Sequence, residues 1–377
     1  MSAEDETPAE VQSPSAEARH ADELAFLARW DQGPRPPGWH LTPRAVRTFI
    51  VGSDGDLVAG GERRTISEKF VGSRALVERA IVTLAGERGL ILVGEPGTAK
   101  SMLSELLAAA VSGSSGLTVQ GTAGTTEDQL RYGWNYALLL AQGPHAQALV
   151  PSPVLTAMRE GRVARIEEIT RCLPEVQDAL VSILSDRRMH VPELGRDEPA
   201  RPGFNLIATA NLRDKGVSEM SAALKRRFNF ETVPPIPDLA REVALVRRQA
   251  TAALARAGVQ APIDEAVLEA LVTVFRDLRG GVSVEGWAVE RPSTVMSTAE
   301  AVGVATSLAL QHDFYPTQVG ALAALPGYLL GVVTKDEPKD RGRLLGYWDA
   351  VVKRRAEGQA RLWRELWELR KVLEEER

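Results

Sequence analysis

Cysteine is almost missing from the chain. Cys172 is the one thiol in 377 residues, so no intramolecular disulfide can form, which suits a reducing, cytoplasmic setting. Five scattered histidines beside a single thiol give no zinc-ligand spacing. Long hydrophobic runs are missing too. The longest, GALAALPGYLLGVV from Gly320 to Val333, is interrupted by Pro326-Gly327. It falls short of the ~18 residues that suggest a membrane span. Nor is there an excess of positive charge. A net charge of −5 argues against a general nucleic-acid or anionic-membrane binder. No internal repeat is visible.

What is there is ordinary for a globular protein: 44% hydrophobic and 25% charged residues. The first residues, MSAEDETPAEVQSPSAEARHADE, are acidic and rich in Pro, Ser and Ala. Residues 1–22 therefore read as a disordered tail rather than a signal or transit peptide. Residues 23–68 read as an N-terminal extension, in which Thr42-Pro43 marks a helix start, a cap followed by a proline.

From Lys69 onward short apolar runs alternate with amphipathic helices. LILV (Leu90 to Val93), LTVQ (Leu117 to Gln120), VARI (Val163 to Ile166), NLIATA (Asn205 to Ala210) and FNFETV (Phe228 to Val233) are candidate strands. Alternation of this kind implies a mostly parallel sheet covered by helices on both faces, over residues 69–236. Three prolines in TVPPIPD then break the chain. Residues 237–335 read as a small all-helical domain, with helices at Leu239 to Ala257, Asp264 to Leu278, Ser293 to Gln311, and Gln318 to Val333 interrupted at Pro326. Residues 336–377 form a charged, helical C-terminal extension. Its last helix repeats Leu362, Leu366, Leu369 and Leu373 at helical spacing beside Trp363 and Trp367. Such a stripe docks on its own protein or on a partner.

The segment LILVGEPGTAKSMLSELL carries the chemistry. A buried strand ends at Val93, a loop of Gly94, Glu95, Pro96, Gly97, Thr98 and Ala99 follows, and Lys100-Ser101 opens a helix. The spacing is that of the phosphate loop G-x-x-x-x-G-K-[ST], with Ala99 in place of the second glycine. Alanine is compatible with that position if the backbone there is helical. Loop and helix N–H groups point at phosphate oxygens. Lys100 then serves the β- and γ-phosphates and Ser101 offers a hydroxyl to Mg²⁺. Downstream, VARIEEITR puts two carboxylates, Glu167 and Glu168, at a strand end. Arg165 shares a strand face with Glu167. Its head reaches either solvent or an acid, and pairing with Glu167 would weaken Mg²⁺ binding.

GEPGTAKS followed by a Glu-rich strand end and EEITRCLPEVQDALVSIL resembles the MoxR-type AAA+ ATPases over roughly Lys69 to Leu310. The resemblance implies an α/β P-loop AAA+ core, its parallel sheet flanked by helices, followed by a small all-helical lid domain. It implies ATP and Mg²⁺ as ligands. Glu168 matches the catalytic glutamate, and Glu167 stands where an aspartate usually serves the metal. Asn211 matches the polar residue that holds the attacking water. Val71-Gly72 matches a backbone segment near adenine. Arg227, rather than Arg226, matches a finger that reaches the ATP of a neighbouring subunit. Arg291 precedes Pro292 where the family places an arginine after the proline, so it matches the lid's phosphate sensor poorly. Two insertions, at residues 128–155 and 188–206, match hairpins that project toward a pore or partner, with Trp134 and Tyr136 either contacting it or packing beneath. The resemblance further implies a homo-oligomeric ring, a hexamer, and a partner carrying a von Willebrand factor A domain. Two other readings stay open: the motor subunit of a metal chelatase, and an ATP switch that does not hydrolyse. Nucleic acid and membrane are not expected partners.

Overall fold

The computed structural model describes residues 14–211, 218–315, 320–358 and 361–375. The described residues divide into two compact units, one holding the chain up to Glu95 and from Ala99 to Pro234, the other holding Pro96–Thr98 and the chain from Pro235 onward. The first unit is built on five strands: β1 (Gly89–Val93), β2 (Thr118–Gln120), β3 (Val163–Glu167), β4 (Asn205–Ala210) and β5 (Phe228–Thr232). They lie in the order β5-β1-β4-β3-β2, every neighbouring pair parallel. β1, β3 and β4 are buried along their whole length. They read as apolar runs rather than alternating patterns because both faces of the sheet are covered.

The two faces are distinct. Leu90, Leu92, Val163 and Ile207 point into one core with the helices Arg74–Ala85 and Lys100–Ser112. Ile91, Val93, Ala164, Ile166, Leu206 and Ala208 point into the other, with the helices Pro153–Glu160 and Pro174–Asp186. Strand alternation therefore sends Arg165 and Glu167 to the face of Val163, under the helix that opens at Lys100.

The N-terminal extension begins earlier than its composition suggests. Of the residues expected in the tail, 16–19 lie in the helix Ala16–Arg19 and 21–22 open the helix Ala21–Trp30, with His20 as the turn between them; residues 1–13 lie outside the described residues. Ala16 is fully buried. The Glu17 carboxylate accepts from the Ser115 N–H at 3.1 Å and hydroxyl at 2.7 Å. One small side chain and one carboxylate fix this turn, which leaves no hydrophobic density for a sequence window to detect. Thr42 caps its helix as expected, accepting from the Ala45 N–H at 3.1 Å.

Both insertions are antiparallel hairpins, Tyr132–Trp134 with Leu149–Pro151 and Arg188–Val191 with Arg196–Pro199. The two aromatics of the first part company. Trp134 packs partly against the core, edge-on to Tyr132 with ring centroids 6.0 Å apart. Tyr136 is 69% exposed, on the helix Tyr136–Gln142, which buries no residue at all.

The phosphate loop corrects one expectation. Ala99 is not helical: its φ of 64° and ψ of 26° place it in the left-handed region. The loop needs a residue in that conformation before the helix can start, and this is why glycine is usual there. Gly97 also has positive φ, 74°.

The second unit is helical: Leu239–Arg256, Glu265–Gly280, Thr298–Phe314 and Ala321–Thr334, then shorter helices to Glu375. The third starts five residues later than expected from Ser293. Ser297 and Glu300 form a reciprocal cap there, which sets the first turn. Pro326 does not interrupt the fourth helix. It stands near the helix N-terminus, where losing its donor forfeits a single backbone bond. The start expected at Gln318 lies outside the described residues. No helix among the described residues is long and apolar enough to cross a membrane.

The C-terminal segment shares this helical core. Leu344, Trp348, Val351, Leu366 and Leu373 are buried in it, and the Trp348 indole donates to the Leu366 carbonyl at 3.2 Å. The leucine stripe is thus used within the chain. A buried polar network fastens the same segment. Tyr347 Oη and Arg355 Nη2 each donate to Asp277 Oδ2 at 2.8 Å, and Arg355 makes two further 2.8 Å bonds to Glu285. Burial pushes the Asp277 carboxyl above its ordinary pKa despite the guanidinium. Its Arg355 bond holds the more exposed Glu285 down at about 2.

Two stability measurements follow. Arg355→Met strands a buried carboxylate and should cost about 3–5 kcal/mol in urea unfolding, with Asp277→Asn restoring part of the loss in the double variant. Ala99→Gly should raise stability by roughly 1 kcal/mol, since glycine adopts the left-handed conformation without strain.

Candidate nucleotide site

Lys100 is buried, and its Nζ donates to the carbonyls of Gly94 at 3.0 Å and Glu95 at 2.7 Å. The lysine is folded across its own loop. Positive φ at Gly97 and Ala99 turns loop amides inward ahead of a helix N-terminus, a concave arrangement of donors suited to an anion.

Glu167 lies beneath this loop and both its oxygens are doubly engaged. Oε2 accepts from Ser101 Oγ at 2.7 Å and from Thr209 Oγ1 at 2.7 Å. Oε1 accepts from Ser104 Oγ at 2.5 Å and from Arg165 Nη2 at 2.7 Å. Burial alone would raise its pKa. The Ser104 bond, the Arg165 charge and the bonds from Ser101 and Thr209 overcome that and hold it below the ordinary value. Glu167 is thus a carboxylate in the fold.

The arginine resolves the choice left open by the sequence. Arg165 is 9% exposed, and its head reaches an acid, not solvent. It also donates from Nε to Ser104 Oγ at 3.0 Å, from Nη2 to the Ser101 carbonyl at 3.1 Å and from Nη1 to the Ser115 carbonyl at 3.1 Å.

Ser101 and Glu167 fit the part of metal holders. A hydroxyl and an ionised carboxylate meet at 2.7 Å beside the phosphate loop. Hard oxygen donors of this kind, few in number, suit Mg²⁺, which keeps several waters. The extra methylene of a glutamate is compatible with contact through water.

Glu168 sits at the end of β3 with φ 53° and ψ 46°, left-handed. Its N–H donates to Thr209 Oγ1 at 2.9 Å. Thr209 therefore grips both acidic residues, the side chain of one and the backbone of the other. The Glu168 carboxylate, about a third exposed, forms an ion pair with Arg171. Asn211 is buried just past the end of β4, two residues beyond Thr209. Gly121 completes the floor. Its N–H donates to the Glu167 carbonyl at 2.7 Å, and a Cβ there would stand 2.5 Å from the Glu168 carbonyl oxygen. Any side chain at 121 would displace the acidic pair.

Ser104, Thr209 and Gly121 were not singled out from the sequence. The signal for Thr209 was its position two before Asn211; that for Ser104 was its place one turn after Lys100-Ser101. Of the other expected residues, Val71 and Gly72 are half-buried. Gly72 is required by Phe70, whose ring would lie 2.3 Å from a Cβ. Arg227 bonds within its own chain, to Ser185 Oγ and, at 2.6 Å, to the Ala223 carbonyl, while Arg226 is exposed. Arg291 belongs to the helical unit and donates to the Gly280 carbonyl at 2.5 Å.

Residues 89–228 match the AAA domain of the dynein-related subfamily, and residues 240–374 match the YehL-like AAA+ ATPase C-terminal domain. The chain is 51% identical to the uncharacterized protein YehL of Escherichia coli K12 over 345 residues, covering 91% of this chain and 93% of that one. It is 27% identical to an uncharacterized protein of Staphylococcus haemolyticus over 62% of this chain and 84% of that one. Among solved structures, NtrX from Brucella abortus in complex with ATP is similar with a TM-score of 0.48 at 15% identity, covering 80% of this chain and 69% of that one. With half its residues shared with YehL across nearly the whole length, and both AAA+ domain models matched in order, the chain belongs to the AAA+ ATPases of the MoxR/YehL type.

Proposed function

We propose that the protein is a Mg²⁺-dependent ATPase that works as a ring, a hexamer, and uses ATP to remodel a protein client in the cytoplasm. The observation that carries this reading is the joint grip of Thr209 on Glu167 and Glu168, which fixes the metal-side carboxylate relative to the backbone of the catalytic residue.

ATP would bind with its phosphates on the loop from Gly94 to Thr98. Lys100 leaves the Gly94 and Glu95 carbonyls and turns to the β- and γ-phosphates. Ser101 and Glu167 would hold Mg²⁺, which when bound neutralises charge on the phosphate oxygens. Glu168, backed by its N–H bond to Thr209, orients and polarises the attacking water, and Asn211 holds that water in place. Val71-Gly72 would border the adenine. Arg227 supplied from a neighbouring subunit stabilises the charge that develops on the γ-phosphate, which makes assembly a condition of turnover. For that it must give up Ser185 and the Ala223 carbonyl. Arg226, exposed next to it, is the other candidate for the finger. Arg291 keeps the weaker assignment of a lid contact to phosphate. The helix Tyr136–Gln142, with Tyr136 and Leu140 exposed, is the surface offered to a client or to a partner with a von Willebrand factor A domain.

One observation favours a second reading, a switch that binds ATP without hydrolysing it: all four contacts of Glu167 are already satisfied. Turnover separates the two. Glu168→Gln should keep ATP binding and lose about 10²-fold or more in turnover. Wild-type turnover per subunit should rise with protein concentration, and Arg227→Ala should abolish that rise. ATP binding with no hydrolysis by the assembled wild type would replace the motor with the switch.

A further inference from the structure

A metal-side carboxylate beneath a phosphate loop creates an electrostatic problem. It faces a polyanion, and until a cation stands between them the two repel. In this chain a cation is already present within the fold. Arg165 lies one pleat before Glu167 on the same face of β3, is 9% exposed, and donates to Glu167 Oε1 at 2.7 Å. Its guanidinium is fixed from three directions: by Ser104 Oγ and the Ser101 carbonyl of the phosphate-loop helix, and by the Ser115 carbonyl ahead of β2. It cannot swing out to solvent without breaking all of these.

We infer that Arg165 is a built-in counter-ion to Glu167 that makes nucleotide binding by this site largely independent of divalent metal. The inference rests on the nucleotide-site reading above and adds a property to it. The pair Arg165–Glu167 carries no net charge, whereas a lone carboxylate in that place carries one negative charge. Metal-free ATP therefore meets Lys100 and a neutral base. The same neutrality weakens the pull of the site on Mg²⁺, because the carboxylate that would attract it is shared with the guanidinium. The site is thus arranged to load ATP first and to acquire metal afterwards. Hydrolysis, but not binding, follows the metal concentration.

The test is equilibrium binding of a non-hydrolysable fluorescent ATP analogue to the full chain, with excess Mg²⁺ and with EDTA. Wild type should bind in EDTA within about threefold of its affinity with Mg²⁺. Arg165→Gln should lose about tenfold or more in EDTA while staying near wild type with Mg²⁺, since the exposed Glu167 charge then needs the metal. Arg165→Lys should restore the wild-type pattern, which a merely structural role in packing the guanidinium would not. If Arg165→Gln fails to fold, Glu167→Gln carries the test: with Arg165 left uncompensated, binding in EDTA should tighten about threefold or more over wild type. A wild-type loss above about tenfold on metal removal overturns the inference. So does an unchanged EDTA-to-Mg²⁺ ratio in the Arg165→Gln variant, or in Glu167→Gln where that variant decides. No binding under either condition overturns the nucleotide reading itself and this inference with it.

Discussion

The floor of the site depends on keeping one carboxylate ionised inside a sheet. Glu167 is buried, and an uncompensated charge there would carry a desolvation penalty of several kcal/mol. The fold meets that cost with three hydroxyls and one guanidinium drawn from three elements: Ser101 and Ser104 on the helix, Thr209 on β4, and Arg165 on β3 itself. Each donor is placed by periodicity. Ser101 and Ser104 are one turn apart on the helix Lys100–Ser112. Arg165 is one pleat before Glu167. Thr209 lies next to Glu167 because Ala208 pairs with Ile166 in the parallel register. A shift of the β3–β4 register by one residue would turn Thr209 to the opposite face and leave both acidic residues without their shared anchor.

Much of this was legible beforehand, and for a physical reason. Central strands buried on both faces must be continuous apolar runs, so β1, β3 and β4 announce themselves. The phosphate loop has few sequence solutions because it needs a lysine at a helix start after a turn. What was not legible were features set by partners distant in sequence. Ala99 looked compatible with helix, yet the turn forces it left-handed, and its composition carries no mark of that. Arg165 read as a strand residue with a choice between solvent and acid. Its burial depends on the helix above it, which lies about sixty residues earlier in the chain, beyond any local window. The turn around Ala16 failed to register for the opposite reason: Glu17 holds it through the Ser115 N–H and hydroxyl, a polar anchor that hydrophobicity cannot reveal.

The helical unit illustrates the same division. Its helices follow from amphipathic spacing, and even Pro326 disturbs the reading more than it disturbs the fold. Where the last helices dock is a separate matter. The leucine stripe at Leu366 and Leu373 fits the chain's own core or a partner, and amphipathicity alone does not show which. What distinguishes them is polar chemistry: the bonds of Tyr347 and Arg355 to the buried Asp277, and the Trp348 indole to the Leu366 carbonyl. Apolar stripes supply most of the burial, and the directional bonds select which surface receives it.

That division bears on how the two acidic residues differ in kind. Glu167 is held on every side and its position is over-determined; Glu168, one residue later, is anchored through its backbone and only ion-paired at its carboxylate, to Arg171. The first arrangement holds a charged group stationary, and the second leaves a carboxylate free to exchange one partner for another. The left-handed turn at Glu168 is what separates them, ending the strand so abruptly that neighbouring carboxylates point into different surroundings. The pair at the end of VARIEE is therefore not a duplicated acid. One carboxylate belongs to the fold and sets the charge of the floor, while the other belongs to the space above it.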